Sequence, residues 1–171
     1  MITPDQSPPI RVRQTLDRAT MWAMSTNLRR DDPRIGAWST FLRAHAQVVR
    51  RLERELQDEQ GMALTDYDVL VQLARSDHRR LRMSELADRL LLSRSGVTRL
   101  VDRLVAEGLV ERVLCDDDRR GQWAALTDAG LRRLREAAPT HLRGVATHFL
   151  DRLSPNELAR LERMLDPIAE G

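Results

Sequence analysis

The chain has one cysteine in 171 residues and no lysine at all. The lone Cys115 excludes an internal disulfide framework and suits a reducing cytoplasm. Without lysine, all 28 basic residues are arginines, a bias that a GC-rich coding genome produces. Each cation is therefore a planar fork able to grip phosphate or guanine through two hydrogen bonds. Aromatic residues supply only 4% of the chain, so the core has to be assembled from Leu, Val and Ala. With 8 glycines and 7 prolines there are few of the turn residues that a sandwich or barrel needs, and helices are favoured. No apolar run approaches the roughly 18 residues of a membrane span. Met1 to Ile10 holds no apolar stretch of the kind a secretory signal carries. At 42% apolar and 32% charged residues the chain is a folding sequence. Its length is that of about one domain, able to bury roughly 70% of its unfolded surface. The expectation is a soluble, cytoplasmic, mostly helical protein.

Hydrophobic spacing gives the organisation. Residues 1–35 read as an extension with a loose helical stripe (Val12, Leu16, Ala19, Ala23) that ends at Asp31-Asp32-Pro33. A long amphipathic helix follows, carrying Trp38, Phe41, Leu42, His45, Val48, Val49, Leu52 and Leu56 on one face, and Gly61 is its natural stop. Thr65 and Asp68 have the spacing of a capping box for the next helix. Ser76 to Arg82 is polar and basic and reads as a loop. Ser84 is placed to cap a short helix and Ser93 a second one, with Val97, Leu100, Val101 and Leu104 inside and Gly108 at its end. Leu109–Leu114 and Gln122–Leu126 are β-branched and partly alternating. The polar turn Asp116–Gly121 lies between them, so they form a two-stranded hairpin. Thr127 caps a long helix kinked at Pro139. Ser154-Pro155-Asn156-Glu157 then combines a capping box with proline at the first helical position, which starts the last helix.

Two short helices and a hairpin in that order make a winged helix-turn-helix, whose second helix enters the major groove by its N-terminal side chains. The apolar stripe of that helix faces inward and leaves Arg94, Ser95, Thr98 and Arg99 outside. Arginine forks onto guanine, while serine and threonine take bases or phosphates. Charge alone is a weaker sign. Residues 84–127 hold seven arginines against eight acids, although within 93–105 three arginines face only Asp102. The module is a cationic edge on a neutral body, and the bland alternative is that these arginines solvate helix surfaces. A second functional reading is a winged helix that binds protein and never touches DNA.

The segments Arg82-Met83-Ser84-Glu85-Leu86-Ala87, Leu92–Leu104 and Glu107-Gly108-Leu109-Val110 strongly resemble MarR-type bacterial transcriptional regulators. The wing motif Asp118-Arg119-Arg120-Gly121, followed by Leu126-Thr127 and Gly130, shares the likeness, which covers about residues 36–168. The resemblance implies a mainly α fold with a small two-stranded β-wing. It places a DNA-binding lobe at 65–127 and an interlocking helical dimerisation region at 36–64 and 128–171. It implies a homodimer on a pseudo-palindromic double-stranded DNA operator, acting as a repressor that a small effector releases. By motif position, Ser93, Arg94, Ser95, Thr98 and Arg99 fall on the reading helix. Arg120 falls on the wing arginine that reaches the minor groove and Asp118 on the acid that braces it. Arg103 and Arg119 complete the candidate DNA contacts. Peroxide-sensing members keep their reactive cysteine in the first helix, whereas Cys115 closes a wing strand, and a small packing role suits it better.

No metalloprotease, phosphate-loop or nucleophile-elbow motif occurs, so no enzyme and no cofactor is expected. His141 and His148 stand seven apart without an intervening carboxylate on their face, a poor metal pattern. Trp38, Phe41, His45 and Tyr67 are open to two readings: a crevice for a small phenolic or aromatic effector, or core and dimer interface.

Overall fold

In a computed structural model the described residues are 32–114 and 122–169. By contacts the chain divides into two units, Met1–Arg43 and Ala44–Gly171. The helical stripe expected before Asp31 lies outside the described residues, as do Cys115, Asp118, Arg119 and Arg120.

Helix α1 (Pro33–Gln60) begins at Asp32, whose carboxylate accepts the Arg34 amide at 2.9 Å. Helix α2 (Leu64–Ala74) follows Gly61, which takes φ +58° in the turn between them. A short 3-10 turn (Asp77–Arg79) leads into β1 (Arg80–Arg82), α3 (Met83–Leu90) and α4 (Arg94–Ala106). The hairpin strands β2 (Val110–Leu114) and β3 (Gln122–Leu126) precede α5 (Asp128–His148), which contains Pro139. The last helix is α6 (Pro155–Ala169). No described helix is long and apolar enough to cross a membrane.

The hairpin expected at 109–126 is present, with Val110 opposite Leu126 and Leu114 opposite Gln122. One strand was not legible. Arg80–Arg82 lies in the segment whose polar sequence predicts a loop, yet it pairs with β3 through Arg80–Ala125, Leu81–Ala124 and Arg82–Trp123, giving an antiparallel sheet ordered β1-β3-β2. Three residues with a single apolar member, Leu81, show no alternation, so only the free edge of β3 makes them a strand. The core joins α2, α3, α4 and the sheet to the second half of α1 and to α5. Leu56, Leu70, Leu73, Leu86, Val97, Val101 and Leu104 are fully covered within it.

Capping follows the sequence at three helix starts and departs at two. Thr127 Oγ1 accepts the Gly130 amide at 2.9 Å. Ser154 and Glu157 exchange bonds as a capping box, with the Ser154 amide donating to Glu157 at 2.8 Å. Ser93 caps α4. The Thr65–Asp68 box does not form. Helix α2 starts two residues earlier than that box would set, at Leu64, and the Leu64 amide donates to Glu53 on α1 at 2.9 Å. Ser84 is likewise inside α3, whose start is served by Glu85 accepting the Arg82 amide at 3.2 Å. At α2 a carboxylate brought in by another helix replaces the local cap, and at α3 the cap is still local but comes from Glu85 at the third helical position.

Candidate nucleic-acid interface

The helix-turn-helix is α3, the turn Leu91-Leu92-Ser93, and α4. The turn is closed by the Leu91 amide donating to the Asp88 carbonyl at 3.2 Å and the Leu92 amide to the Ala87 carbonyl at 3.0 Å. Ser93 Oγ then accepts the Gly96 amide at 3.1 Å, which sets the first turn of α4. Gly108 at φ +72° stops this helix, a backbone geometry that glycine adopts without strain.

Spacing at three and four divides α4 into two faces. Val97, Leu100, Val101 and Leu104 are buried, and Ser93, Arg94, Ser95, Thr98 and Arg99 are exposed, as the sequence predicts. The hydroxyls are partly engaged. Ser93 and Ser95 oxygens lie 3.2 Å apart, and Thr98 donates to the Arg94 carbonyl at 2.8 Å, which leaves its lone pairs outward. The Arg94 and Arg99 guanidiniums enter no ion pair among the described residues, so both forks remain available to a ligand. Arg103 differs. Its guanidinium donates to Asp66 on α2, a residue only 8% exposed. That carboxylate holds the Arg103 guanidinium above the ordinary arginine range.

A second tie flanks the first. Arg112 on β2 donates to Asp102 on α4 at 2.7 Å and to Gln122 on β3 at 2.6 Å. The far end of α4 is thus pinned to α2 by Arg103 and to the hairpin by Asp102, while its N-terminal face carries the free arginines. Neither tie was read from the sequence. A signal existed for Arg112, which shares a strand face with the buried Val110, because a charge there requires a partner. Asp66 offered none, since its partner lies 37 residues away.

Trp38, Phe41, His45 and Tyr67, the candidate effector residues, differ in exposure. Trp38 and Phe41 are exposed and form a stacked pair with ring centroids 6.0 Å apart. His45 is exposed. Tyr67 is buried, its ring 4.4 Å from that of His141. Burial raises the Tyr67 hydroxyl above the usual tyrosine range and lowers the His141 imidazole below that of histidine. His148 meets Glu55 instead. The two histidines therefore serve separate packing contacts. On the outer face of the sheet, the Arg80 and Arg82 guanidiniums lie 4.9 and 5.2 Å from the Trp123 ring centre.

A MarR-family model matches residues 60–121, the segment that holds the helix-turn-helix and the first strand of the hairpin. The HTH-type transcriptional regulator YkoM of Bacillus subtilis is 30% identical over 141 residues, covering 82% of this chain and 89% of that protein. The chain belongs to the MarR family. Among solved structures, AbsC, a MarR-family regulator of Streptomyces coelicolor, superposes with a TM-score of 0.76 at 40% identity. That match covers 81% of this chain and 93% of AbsC. Sco3205 of the same organism, solved in complex with DNA, gives 0.75 at 40% identity over 79% of this chain and 84% of its own. This MarR-family chain has the fold and relatives of transcriptional regulators, which are not enzymes.

Proposed function

We propose that this MarR-family protein is a homodimeric, sequence-specific DNA-binding repressor in the cytoplasm. Each subunit lays the N-terminal half of α4 into one of two successive major grooves of a pseudo-palindromic operator. Arg94 and Arg99 fork onto guanine or phosphate, and Ser93, Ser95 and Thr98 add shorter-range bonds. The wing residue Arg120, with Asp118 bracing it, belongs to the minor-groove contact, and Arg119 adds a further DNA contact. The observation that carries this reading is the pair of exposed guanidiniums, without an ion pair among the described residues, on a helix whose other end is tied to two neighbouring elements. A helix held in this way needs little backbone ordering on binding, so the cost left is the rotamer freedom of the arginines themselves. The DNA complex of Sco3205, a relative of the same fold, supports the same reading.

The homodimer is supported by α6, no residue of which is buried within one chain. Leu158, Leu161 and Leu165 line a groove of about 530 Å³ with Phe149 and Leu150. A second copy covering these faces would bury well over about 2,000 Å², as obligate interfaces do. The half-site spacing then equals one turn of DNA, about 34–36 Å. A small phenolic or aromatic effector that favours the DNA-free dimer by a few kcal/mol would release the operator.

A salt titration of binding to duplex DNA tests the reading. Log affinity should fall linearly with log salt, and Arg99→Ala should lose about 1–3 kcal/mol while relaxing sequence preference. Affinity that ignores salt, or an Arg94→Ala/Arg99→Ala double variant that binds as the parent does, would leave the protein-binding reading of the winged helix in its place.

A further inference from the structure

Leu91, in the turn before the reading helix, gives the fold nothing that a smaller residue would not. The residue is 92% exposed, more than any other large apolar residue among those described. Its backbone sits at φ +54°, a left-handed conformation that crowds a side chain and that glycine takes freely. The exposed apolar residues Met164 and Ile168 belong to the stripe of a helix, so a covering partner for the whole face accounts for them. Leu91 belongs to no stripe. Its turn is also fixed, because the Leu91 and Leu92 amides are both bonded to α3 carbonyls. The isobutyl group is therefore held outward two residues before Ser93, at the end of α4 that carries Arg94 and Arg99. Leu92 beside it is 40% exposed, which widens the apolar spot.

We infer that Leu91 is a specificity-determining contact whose side chain packs on the C5-methyl group of a thymine in the major groove, an inference that rests on the DNA-binding reading above. The thymine methyl is the one apolar feature on the base edges of that groove, and arginine, serine and threonine hydroxyls cannot read it by hydrogen bonding. A leucine fixed at the groove-entering end of the helix supplies the apolar partner. Its conformational strain is then the cost of placing an apolar side chain where the turn geometry alone would select glycine.

The probe is a duplex that the parent protein enriches from a random-sequence pool, together with copies in which each thymine in turn is replaced by uracil, deleting only its methyl group. One uracil position per half-site should weaken the parent by about threefold to tenfold. Leu91→Gly and Leu91→Asn, which both accept the left-handed backbone, should bind the thymine duplex that much more weakly and be indifferent to uracil at that position. Leu91→Gly should melt at or above the parent's temperature. The inference is overturned if the variants keep the parent's affinity. It is equally overturned if they lose affinity yet feel the same uracil penalty as the parent, or if no uracil position separates them. A parent that enriches no duplex overturns the DNA-binding reading itself, and this inference with it.

Discussion

The helix-turn-helix lobe and the last helix are written in the same sequence pattern and end in opposite environments. Helix α4 repeats apolar residues at three and four, and Val97, Val101 and Leu104 are fully covered by α2, α3 and the sheet. Helix α6 repeats Leu158, Leu161, Leu165 and Ile168 at the same spacing, and none of its residues is buried, with Met164 58% and Ile168 75% exposed. An apolar stripe states that a helix needs a partner and does not say whether its own chain supplies one. The lobe covers its stripe from within one chain, whereas the stripe of α6 stays open there.

Changes inside the lobe should act at every protein concentration, and changes on α6 should act through association. Gly130→Ala is expected to have the largest effect. A Cβ there would run into the Leu109 carbonyl oxygen and lie 2.7 Å from Leu126 Cδ1, and a backbone atom held in the hairpin cannot step aside. A loss of about 4 kcal/mol or more is expected in thermal or urea unfolding. A variant as stable as the parent would show that the junction of β2 with α5 is loose.

Leu161→Asp combined with Leu165→Asp comes next. Two carboxylates in the apolar groove should raise the dimer dissociation constant by at least about a hundredfold, roughly 3 kcal/mol, in sedimentation. The near-ultraviolet signal of the lobe should persist. Loss of lobe structure together with association would mean that the lobe is not self-sufficient.

The tie between α2 and α4 sharpens the comparison further. Arg103→Ala leaves the buried Asp66 carboxylate unpaired and should cost about 2 kcal/mol of stability, whereas Asp66→Ala leaves an arginine whose side chain is 49% exposed and should cost about half of that. Equal losses would show that the pair acts as an ordinary surface contact. Operator preference should change far less in either variant than in Arg99→Ala.

The smallest effect is in pH. Burial against Tyr67 holds the His141 imidazole below the usual histidine range, so the unfolded chain takes up that proton first. Stability is therefore complete above about pH 6.5 and declines as the pH falls through the folded value. His141→Phe should flatten this part of the curve in unfolding measured from about pH 7.5 to 5. An unchanged curve would place the acid sensitivity elsewhere.

The sequence by itself determined the order of the elements, the inward and outward faces of α4, and the caps at Ser93, Thr127 and Ser154. These depend on residues within four positions of one another, and local spacing records them. It also carried the family likeness through the motifs around Arg94 and Arg120. Tertiary structure decided what depends on distant partners. Strand β1 exists because β3 offers an edge, and α2 starts at Leu64 because Glu53 reaches its amide. Arg103 stands among the outward arginines in the sequence, and only the approach of Asp66 from α2 turned it into a tie. Leu91 looked like one more apolar residue between two helices until its exposure and left-handed backbone were known. Spacing along a chain fixes which side of an element is apolar, and only the folded chain fixes what meets that side.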